Sequence, residues 1–226
     1  MHSLLDTTHR QLILFDLDGT LVDSARDLYR AMNLTLTDLG RPLVTESQVR
    51  VWIGKGASQL CACVIHHQDQ YFDPEAHQQL LQHFLQIYQK NLCVDTTVYA
   101  GVLEFLQYCK AQNKTLVCVT NKPYQAAVEL LRQINLLEYF SLVLGGDSLE
   151  NRKPHPEPLL HAIEYFSQQK QNTLMIGDSR NDVEAARASG IDCIVLGYGY
   201  NHGEAIQACN PQMVIDNLQQ LIPEQN

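Results

Sequence analysis

Short apolar runs recur along the chain, and each is bounded by turn-forming or polar residues. The runs that predict strands cover residues 12–16, 115–120, 141–146, 173–178, 193–197 and 213–215. Segments with apolar residues at helical spacing lie between them, at 124–134, 156–166, 181–190 and 202–209. Strands that are apolar on both faces and alternate with helices are typical of a parallel sheet covered on both sides. The pattern therefore predicts an α/β fold with a Rossmann-like parallel sheet.

Residues 24 to 95 follow a different pattern, with helical periodicity and no convincing strand. Thr45 and Gln48 have the spacing of a capping box, and Asp73 before Pro74 predicts another helix start. A later helix has an apolar face at Leu81, Phe84, Leu85 and Tyr88. We therefore expect an α/β core at 1–21 and 96–226, interrupted by a helical cap domain at 22–95. Such a cap would overhang the carboxyl ends of the strands, where ligands bind in this class of fold.

Composition narrows the possible partners of the chain. Its 226 residues carry a formal net charge of −9, which argues against non-specific binding to nucleic acid or to anionic membranes. The first ten residues lack a signal-peptide pattern, and no apolar run approaches the roughly 18 residues of a membrane span. The seven cysteines are scattered, as expected of reduced thiols. We expect a cytoplasmic protein that is a monomer or a homodimer.

Polar side chains follow the predicted strands where each strand ends. Asp16 and Asp18 follow the first strand, and Thr120 and Asn121 end the second. Lys153 comes after the third strand, and the remaining two acids, Asp178 and Asp182, follow the fourth. Because parallel strands end at the same edge of a sheet, these groups should lie close together.

This set of side chains suits chemistry at phosphorus. Clustered carboxylates repel each other, and a hard cation such as Mg²⁺ relieves that repulsion. A cation, a lysine and a hydroxyl around Asp16 would let its carboxylate attack a phosphate ester. Asp18 could then protonate the leaving oxygen and later accept a proton from water. Thr120, Asn121 and Lys153 are candidate ligands of the phosphate.

Four motifs resemble those of the haloacid dehalogenase superfamily of phosphotransferases: FDLDGTLVDS, VTNKP, RKPHPEP and IGDSRND. The resemblance implies that Asp16 is the nucleophile, Asp18 the acid and base, and Thr120 and Lys153 phosphate-binding residues. It also implies that Mg²⁺ is held by the Asp16 side chain, the Asp18 backbone carbonyl and Asp178. Asp182 would contact Lys153 or a metal-bound water.

Within this superfamily the chain most resembles the phosphoglycolate phosphatase group, through WIGKGA, YAGVLEFL and VLGYGYNHGEAI. The resemblance implies a small phosphate ester as substrate, 2-phosphoglycolate first among the candidates. The backbone of the Gly54–Gly56 turn could then close over the substrate carboxylate, with Lys55 or Arg50 adding charge. A simple turn between helices is the alternative interpretation.

Other functions remain compatible with the same motifs. A phosphomutase, a pyrophosphatase or a phosphatase acting on hexose phosphates would share the core residues, and a non-catalytic phosphate-binding module is the alternative outside enzymes. A dehalogenase would expel halide without a proton, which makes Asp18 superfluous.

Two further places in the sequence have competing interpretations. Asp23 and Ser24 could contact the active site, but their position before a helical run favours a helix start. Asp147 either orients Lys153 or is an exposed acid of a loop.

Overall fold

A computed structural model describes residues 6–69 and 71–223 of the chain. Its strands, in chain order, are β1 (Leu12–Phe15), β2 (Val22–Asp23), β3 (Thr97–Val98), β4 (Thr115–Val119), β5 (Leu142–Leu144), β6 (Thr173–Gly177), β7 (Asp192–Leu196) and β8 (Met213–Ile215). Six of them form one parallel sheet in the order β5-β4-β1-β6-β7-β8. The α/β fold and its six predicted strands are therefore confirmed.

The helices surround this sheet or lie between β2 and β3. They are α1 (Ala25–Asp38), α2 (Glu46–Trp52), α3 (Ala57–Gln68), α4 (Pro74–Lys90), α5 (Val102–Ala111), α6 (Tyr124–Gln133), α7 (Glu157–Tyr165) and α8 (Arg180–Ser189). Helices α6, α7 and α8 confirm three of the predicted segments of the core. Gly190 ends α8, as its position in the sequence predicted.

The helix predicted at 202–209 is wrong over its first half. Only a single 3₁₀ turn forms there, at Ile206–Cys209. His202 and Gly203 have φ angles of 52° and 78°. Two successive residues in the left-handed region cannot belong to a right-handed helix, so helical structure begins only after them.

The central strand β1 is fully buried, and its side chains alternate between two apolar clusters. Ile13 and Phe15 belong to one cluster, and Leu12 and Leu14 belong to the other. This alternation follows from the two-residue period of a strand. It explains why β1 reads as an unbroken apolar run, because both faces of the sheet are covered.

Helices α1 to α4 form a helical segment that leaves the core after β2 and returns at β3. These two-residue strands pair in antiparallel fashion, with Val22 opposite Val98. The returning chain is fixed by Asp27, whose buried carboxylate accepts hydrogen bonds from three consecutive backbone N–H groups at residues 94–96. The sequence did not predict β2 and β3, because two residues are too few to show a period. The domain boundaries at 22 and 95 stay a prediction.

Of three helix caps predicted in the helical segment, two are confirmed. Thr45 and Gln48 form the predicted capping box of α2, and Asp73 caps α4. Ser24 precedes α1 but makes no side-chain capping bond. Its hydroxyl donates to Asp18 instead, so the interpretation of Ser24 as a helix cap is wrong.

Within the described residues, no helix is both long enough and apolar enough to cross a membrane. Of the N-terminal stretch that was searched for a signal peptide, residues 1–5 lie outside the described part of the chain.

Candidate active site

Three acids that are distant in sequence converge at the carboxyl edge of the sheet. Asp16 follows β1, Asp178 follows the neighbouring strand β6, and Asp182 lies in the first turn of α8. All three are buried, and one ligand atom from each lies within 4.8 Å of the others. The convergence expected from the ends of adjacent parallel strands is thus present.

Lys153 is the cation inside this cluster. Its Nζ lies 3.0 Å from an Asp16 oxygen and 2.7 Å from Asp182 Oδ1, and only 1% of its side chain is exposed. The other oxygen of Asp182 accepts hydrogen bonds from the backbone N–H groups of Asp178 and Ser179 and from the Ser179 hydroxyl. The oxygens of Asp182 are therefore occupied by protein donors, and this residue orients Lys153.

Asp147 does not take part in this arrangement. It is exposed, and its carboxylate accepts a hydrogen bond from the backbone N–H of Tyr124 at the start of α6. Of the two interpretations offered by the sequence, the exposed loop acid is therefore the correct one.

The acid cluster carries more negative charge than Lys153 neutralises. Burial raises the pKa of Asp16 to about 7, with a further increase from Asp182, although Lys153 lowers it. Burial also raises the pKa of Asp178 well above its ordinary value, and the charges of Asp16 and Asp182 add to the increase. For Lys153, burial lowers the pKa, but the nearby carboxylates outweigh that effect and the net shift is upward. The lysine is therefore charged, and the two acids are in need of a further cation.

The carboxylate of Asp178 is oriented by two hydrogen-bond donors that were not among the predicted site residues. The hydroxyl of Thr20 donates to Oδ1 at 2.6 Å, and the backbone N–H of Tyr200 donates to Oδ2 at 2.6 Å. Thr20 stands inside the first motif and could have been suspected from its position. A backbone donor such as that of Tyr200 leaves no signal in the sequence.

Asp18 is not part of the cluster of Asp16, Asp178 and Asp182, and it forms an ion pair with Lys122. The lysine Nζ lies 2.9 Å from Oδ1 and 3.0 Å from Oδ2 of Asp18. It also lies 2.5 Å from the hydroxyl oxygen of Tyr88 on α4. Lys122 was not among the predicted site residues, although its place within VTNKP at a strand end was a usable signal. Tyr88 was predicted only as part of an apolar helix face.

A small cavity of about 40 Å³ opens between the carboxyl edge of the sheet and the helical segment. Asp16, Asp18 and Thr120 line its polar side. The helical segment supplies an apolar wall made by Leu28, Ile53, Ala57, Leu60 and Phe84. The cavity therefore combines a polar side from the core with an apolar wall from the helical segment.

The turn at Gly54–Gly56 is docked onto the core beside this cavity. The carbonyl oxygen of Gly54 accepts hydrogen bonds from the side-chain amides of Asn121 and Asn181, at 3.0 and 3.1 Å. Asn121 also donates to the backbone carbonyl of Lys153 at 2.9 Å. Both N–H groups of the Asn121 side chain are therefore used by the protein, and the residue binds the turn to the core.

The two basic residues expected near the substrate lie outside the cavity. Arg50 forms ion pairs with Asp23 and Glu46, and its guanidinium lies over the ring of Tyr200. Lys55 is exposed. Their predicted role in substrate binding gains no support from this arrangement. Asp23, which the sequence favoured as a helix-start residue, is also held by the hydroxyl of Tyr200.

The donor set at the cluster fits a hard divalent cation. Asp16 and Asp178 offer carboxylate oxygens, which are the ligands that Mg²⁺ prefers. Burial is the main cause of their raised pKa values, and the neighbouring acids add to the increase. A divalent ion between the two carboxylates would favour their ionised forms.

The structure combines a parallel α/β sheet, an aspartate directly after the first strand, a buried lysine beside that aspartate, and helices over the same edge of the sheet. Together these features define a class of hydrolase. The chain belongs to the haloacid dehalogenase-like hydrolase family, whose profile matches residues 13–196. At the level shared by its relatives, it is a phosphatase.

Curated relatives match the chain over most of its length. A protein of Nitrosococcus oceani named phosphoglycolate phosphatase is 40% identical over 209 residues, covering 92% of this chain and 93% of its own. A protein of the same name from Pseudomonas putida is 40% identical over 224 residues, covering 97% of this chain and 81% of its own.

Solved structures share the fold. A crystal structure described as a predicted phosphoglycolate phosphatase from Haemophilus somnus superposes with a TM-score of 0.90 at 34% identity, covering 95% of this chain and 97% of that one. A haloacid dehalogenase-like hydrolase from Bacteroides fragilis gives a TM-score of 0.84 at 25% identity, covering 94% of this chain and all of that one.

Proposed function

We propose that the protein hydrolyses 2-phosphoglycolate to glycolate and phosphate, in a Mg²⁺-dependent reaction that passes through a phosphorylated Asp16. The observation that carries this proposal is the buried cluster of Asp16, Asp178 and Lys153 beside a small cavity. The names of the curated relatives support the choice of substrate.

Asp16 and Asp178 would hold the metal through their side chains, together with the backbone carbonyl of Asp18. When bound, Mg²⁺ would neutralise charge on the phosphate and on Asp16. Lys153 already lies 3.0 Å from Asp16, so it can hold the carboxylate and the transferring phosphate together. Thr120 lines the cavity and can donate its hydroxyl to a phosphate oxygen.

The reaction needs one nucleophile and one group that moves a proton twice. The Asp16 carboxylate attacks phosphorus while Asp18 protonates the leaving oxygen of glycolate. Asp18 then accepts the proton of the water that hydrolyses the phosphorylated Asp16. The apolar wall of the helical segment excludes bulk water during the first step.

In this proposal the substrate carboxylate binds at the N-terminus of α3. Gly56 and Ala57 line the cavity, and Gly56 caps α3 without any side-chain hydrogen bond to its backbone N–H groups. Free N–H groups at a helix start favour an anion. We also propose that the protein works in a reducing, cytoplasmic setting. All seven cysteines are free thiols, as expected in such a compartment.

Phosphate release from a panel of substrates tests the proposal. The panel contains 2-phosphoglycolate, glucose 6-phosphate, pyrophosphate and 4-nitrophenyl phosphate, each with Mg²⁺ and with EDTA. We expect the highest kcat/KM for 2-phosphoglycolate, loss of activity in EDTA, and a loss of at least about a thousandfold in Asp16→Asn. Normal turnover by Asp16→Asn would refute the mechanism, and a preference for a hexose phosphate would refute the substrate.

A further inference from the structure

Lys122 is a buried cation whose three N–H groups all have partners within the protein. The residue follows β4 and is 5% exposed. Its Nζ contacts both oxygens of Asp18, and the third contact is to the Tyr88 hydroxyl. An ammonium group has three donors, so none is left for a ligand. Although Lys122 lines the cavity, its hydrogen bonds hold Asp18 and not a substrate.

Tyr88 belongs to the helical segment and is itself held firmly. It is 2% exposed, and its ring is stacked on Phe84 with the ring centres 5.5 Å apart and the planes within 6°. The hydroxyl therefore reaches Lys122 from a fixed position on α4. In this way a residue of the helical segment supports a side chain of the core that holds Asp18.

The contacts of Asp18 leave one of its oxygens available. Oδ1 accepts from the Ser24 hydroxyl at 2.5 Å and from Lys122 at 2.9 Å, which uses both of its acceptor positions. Oδ2 accepts from Lys122 at 3.0 Å and keeps a second acceptor position. The ion pair with Lys122 requires an ionised Asp18. This is the form that remains after Asp18 has given its proton to the leaving oxygen.

We propose that Lys122 and Tyr88 are positioning residues that hold the Asp18 carboxylate for the second half of the reaction, when water hydrolyses the phosphorylated Asp16. The inference rests on the proposed function. In this step the water oxygen forms a bond to phosphorus, and the bond between phosphorus and Asp16 breaks. Its electron pair restores the Asp16 carboxylate. The proton of the water passes to Oδ2 of Asp18.

Pre-steady-state kinetics with 4-nitrophenyl phosphate separate this role from a general structural one. Nitrophenolate leaves readily, so formation of phosphorylated Asp16 from this ester depends little on a general acid. For Lys122→Met we expect kcat to fall at least about tenfold, while kcat/KM changes less than about twofold. A burst of nitrophenol equal to the enzyme concentration should precede slow turnover. Mass spectrometry after acid quench should show that most of the protein carries one phosphoryl group.

Tyr88→Phe should change the same quantities in the same direction by a smaller factor, because it removes one oxygen atom and keeps the stacked ring. Lys90→Met, at the exposed end of α4, is the matched control and should behave like the wild type. If Lys122→Met fails to fold by circular dichroism, the Tyr88→Phe result alone decides.

Three results would overturn the inference. The first is an unchanged kcat, and the second is an equal fall in kcat and kcat/KM without accumulation of phosphorylated protein. The third is a raised KM for 2-phosphoglycolate alone, which would assign Lys122 to the substrate carboxylate. Failure of the wild type itself to become phosphorylated on Asp16 would refute the proposed function and is distinguishable from all three.

Discussion

Each charged side chain at the carboxyl edge of the sheet is held in place by a particular neighbour. Asp182 orients Lys153, Thr20 orients Asp178, and Lys122 orients Asp18. Buried charges without such partners would cost several kcal/mol each. Asp16 and Asp178 remain the least compensated groups, which is consistent with a cation between them. Individual contacts of this kind make the site sensitive to very small changes.

Gly177, the last residue of β6, offers a test at this scale. A Cβ atom at this position would lie 2.3 Å from Cγ of Asp182. Gly177→Ala should therefore displace Asp182 and with it Lys153. We expect the free energy of unfolding to fall by about 1–3 kcal/mol, measured by urea denaturation, and phosphate release to fall at least about tenfold.

Gly197→Ala is the control at the end of the neighbouring strand β7. There an added Cβ would meet its nearest atom at 3.4 Å, an ordinary contact distance. Equal losses in the two variants would show that Asp182 does not depend on the space beside Gly177.

At the scale of elements, the site depends on how the helical segment meets the core. The turn before α3 contacts the core through the Gly54 carbonyl, and α4 contacts it through Tyr88. The first contact places the N-terminus of α3 at the cavity, and the second supports the ion pair of Asp18. The helical segment therefore does more than cover the site.

Gly56→Ala tests the docking of this turn. Gly56 has a φ angle of 86°, and an added Cβ would lie 2.9 Å from the Asn121 carbonyl oxygen. We expect the turn to move away from the core, and the KM for 2-phosphoglycolate to rise about tenfold with a smaller change in kcat.

Gly40→Ala is the matched control for Gly56→Ala. Gly40 also lies in the left-handed region, with a φ angle of 63°, but no atom lies within 4 Å of an added Cβ. It should lose stability through backbone strain and keep a normal KM. A raised KM in both variants would mean that strain alone, and not docking, explains the effect.

For the molecule as a whole, the acid cluster links metal binding, pH and stability. The pKa of Asp16 is raised from 3.8 to about 7 in the metal-free protein. A carboxyl whose pKa is higher in the folded state than in the unfolded state stabilises the folded protein when it is protonated. This contribution is complete below the pKa of the unfolded state, and it is lost as the pH rises toward about 7. Mg²⁺ needs the ionised carboxylate, so its stabilising effect should grow over the same pH range.

Thermal unfolding with and without saturating MgCl₂ measures this link. We expect the Mg²⁺-induced increase in Tm to be small near about pH 5.5 and several degrees near about pH 8. Asp16→Asn lacks one of the two titrating metal ligands, while Asp178 keeps its raised pKa, so the increase in Tm should be smaller and should depend less on pH. A Tm shift of the same size at both pH values in the wild type would contradict the expectation.

Local patterns along the chain were enough to predict the sheet and the convergence of the acids. Strand β1 shows as an apolar run because both of its faces are buried, and Asp16 and Asp178 meet because neighbouring parallel strands end at one edge. These features follow from local periodicity and from a general rule of topology. They could be predicted without knowing any contact between side chains.

The donors that hold those acids can be identified only in the folded chain. Lys122 lies 104 positions from Asp18 and 34 from Tyr88, and no period in the sequence connects them. Ser24 had a good local signal for a helix cap, yet its hydroxyl donates to the partly buried carboxylate of Asp18, because a hydrogen bond to a charged acceptor is stronger than the neutral bond of a helix cap. The predicted helix at 202–209 was likewise limited by the left-handed backbone at His202 and Gly203. Local patterns fix the elements, whereas the partners of buried charges depend on what the folded chain brings within hydrogen-bonding distance.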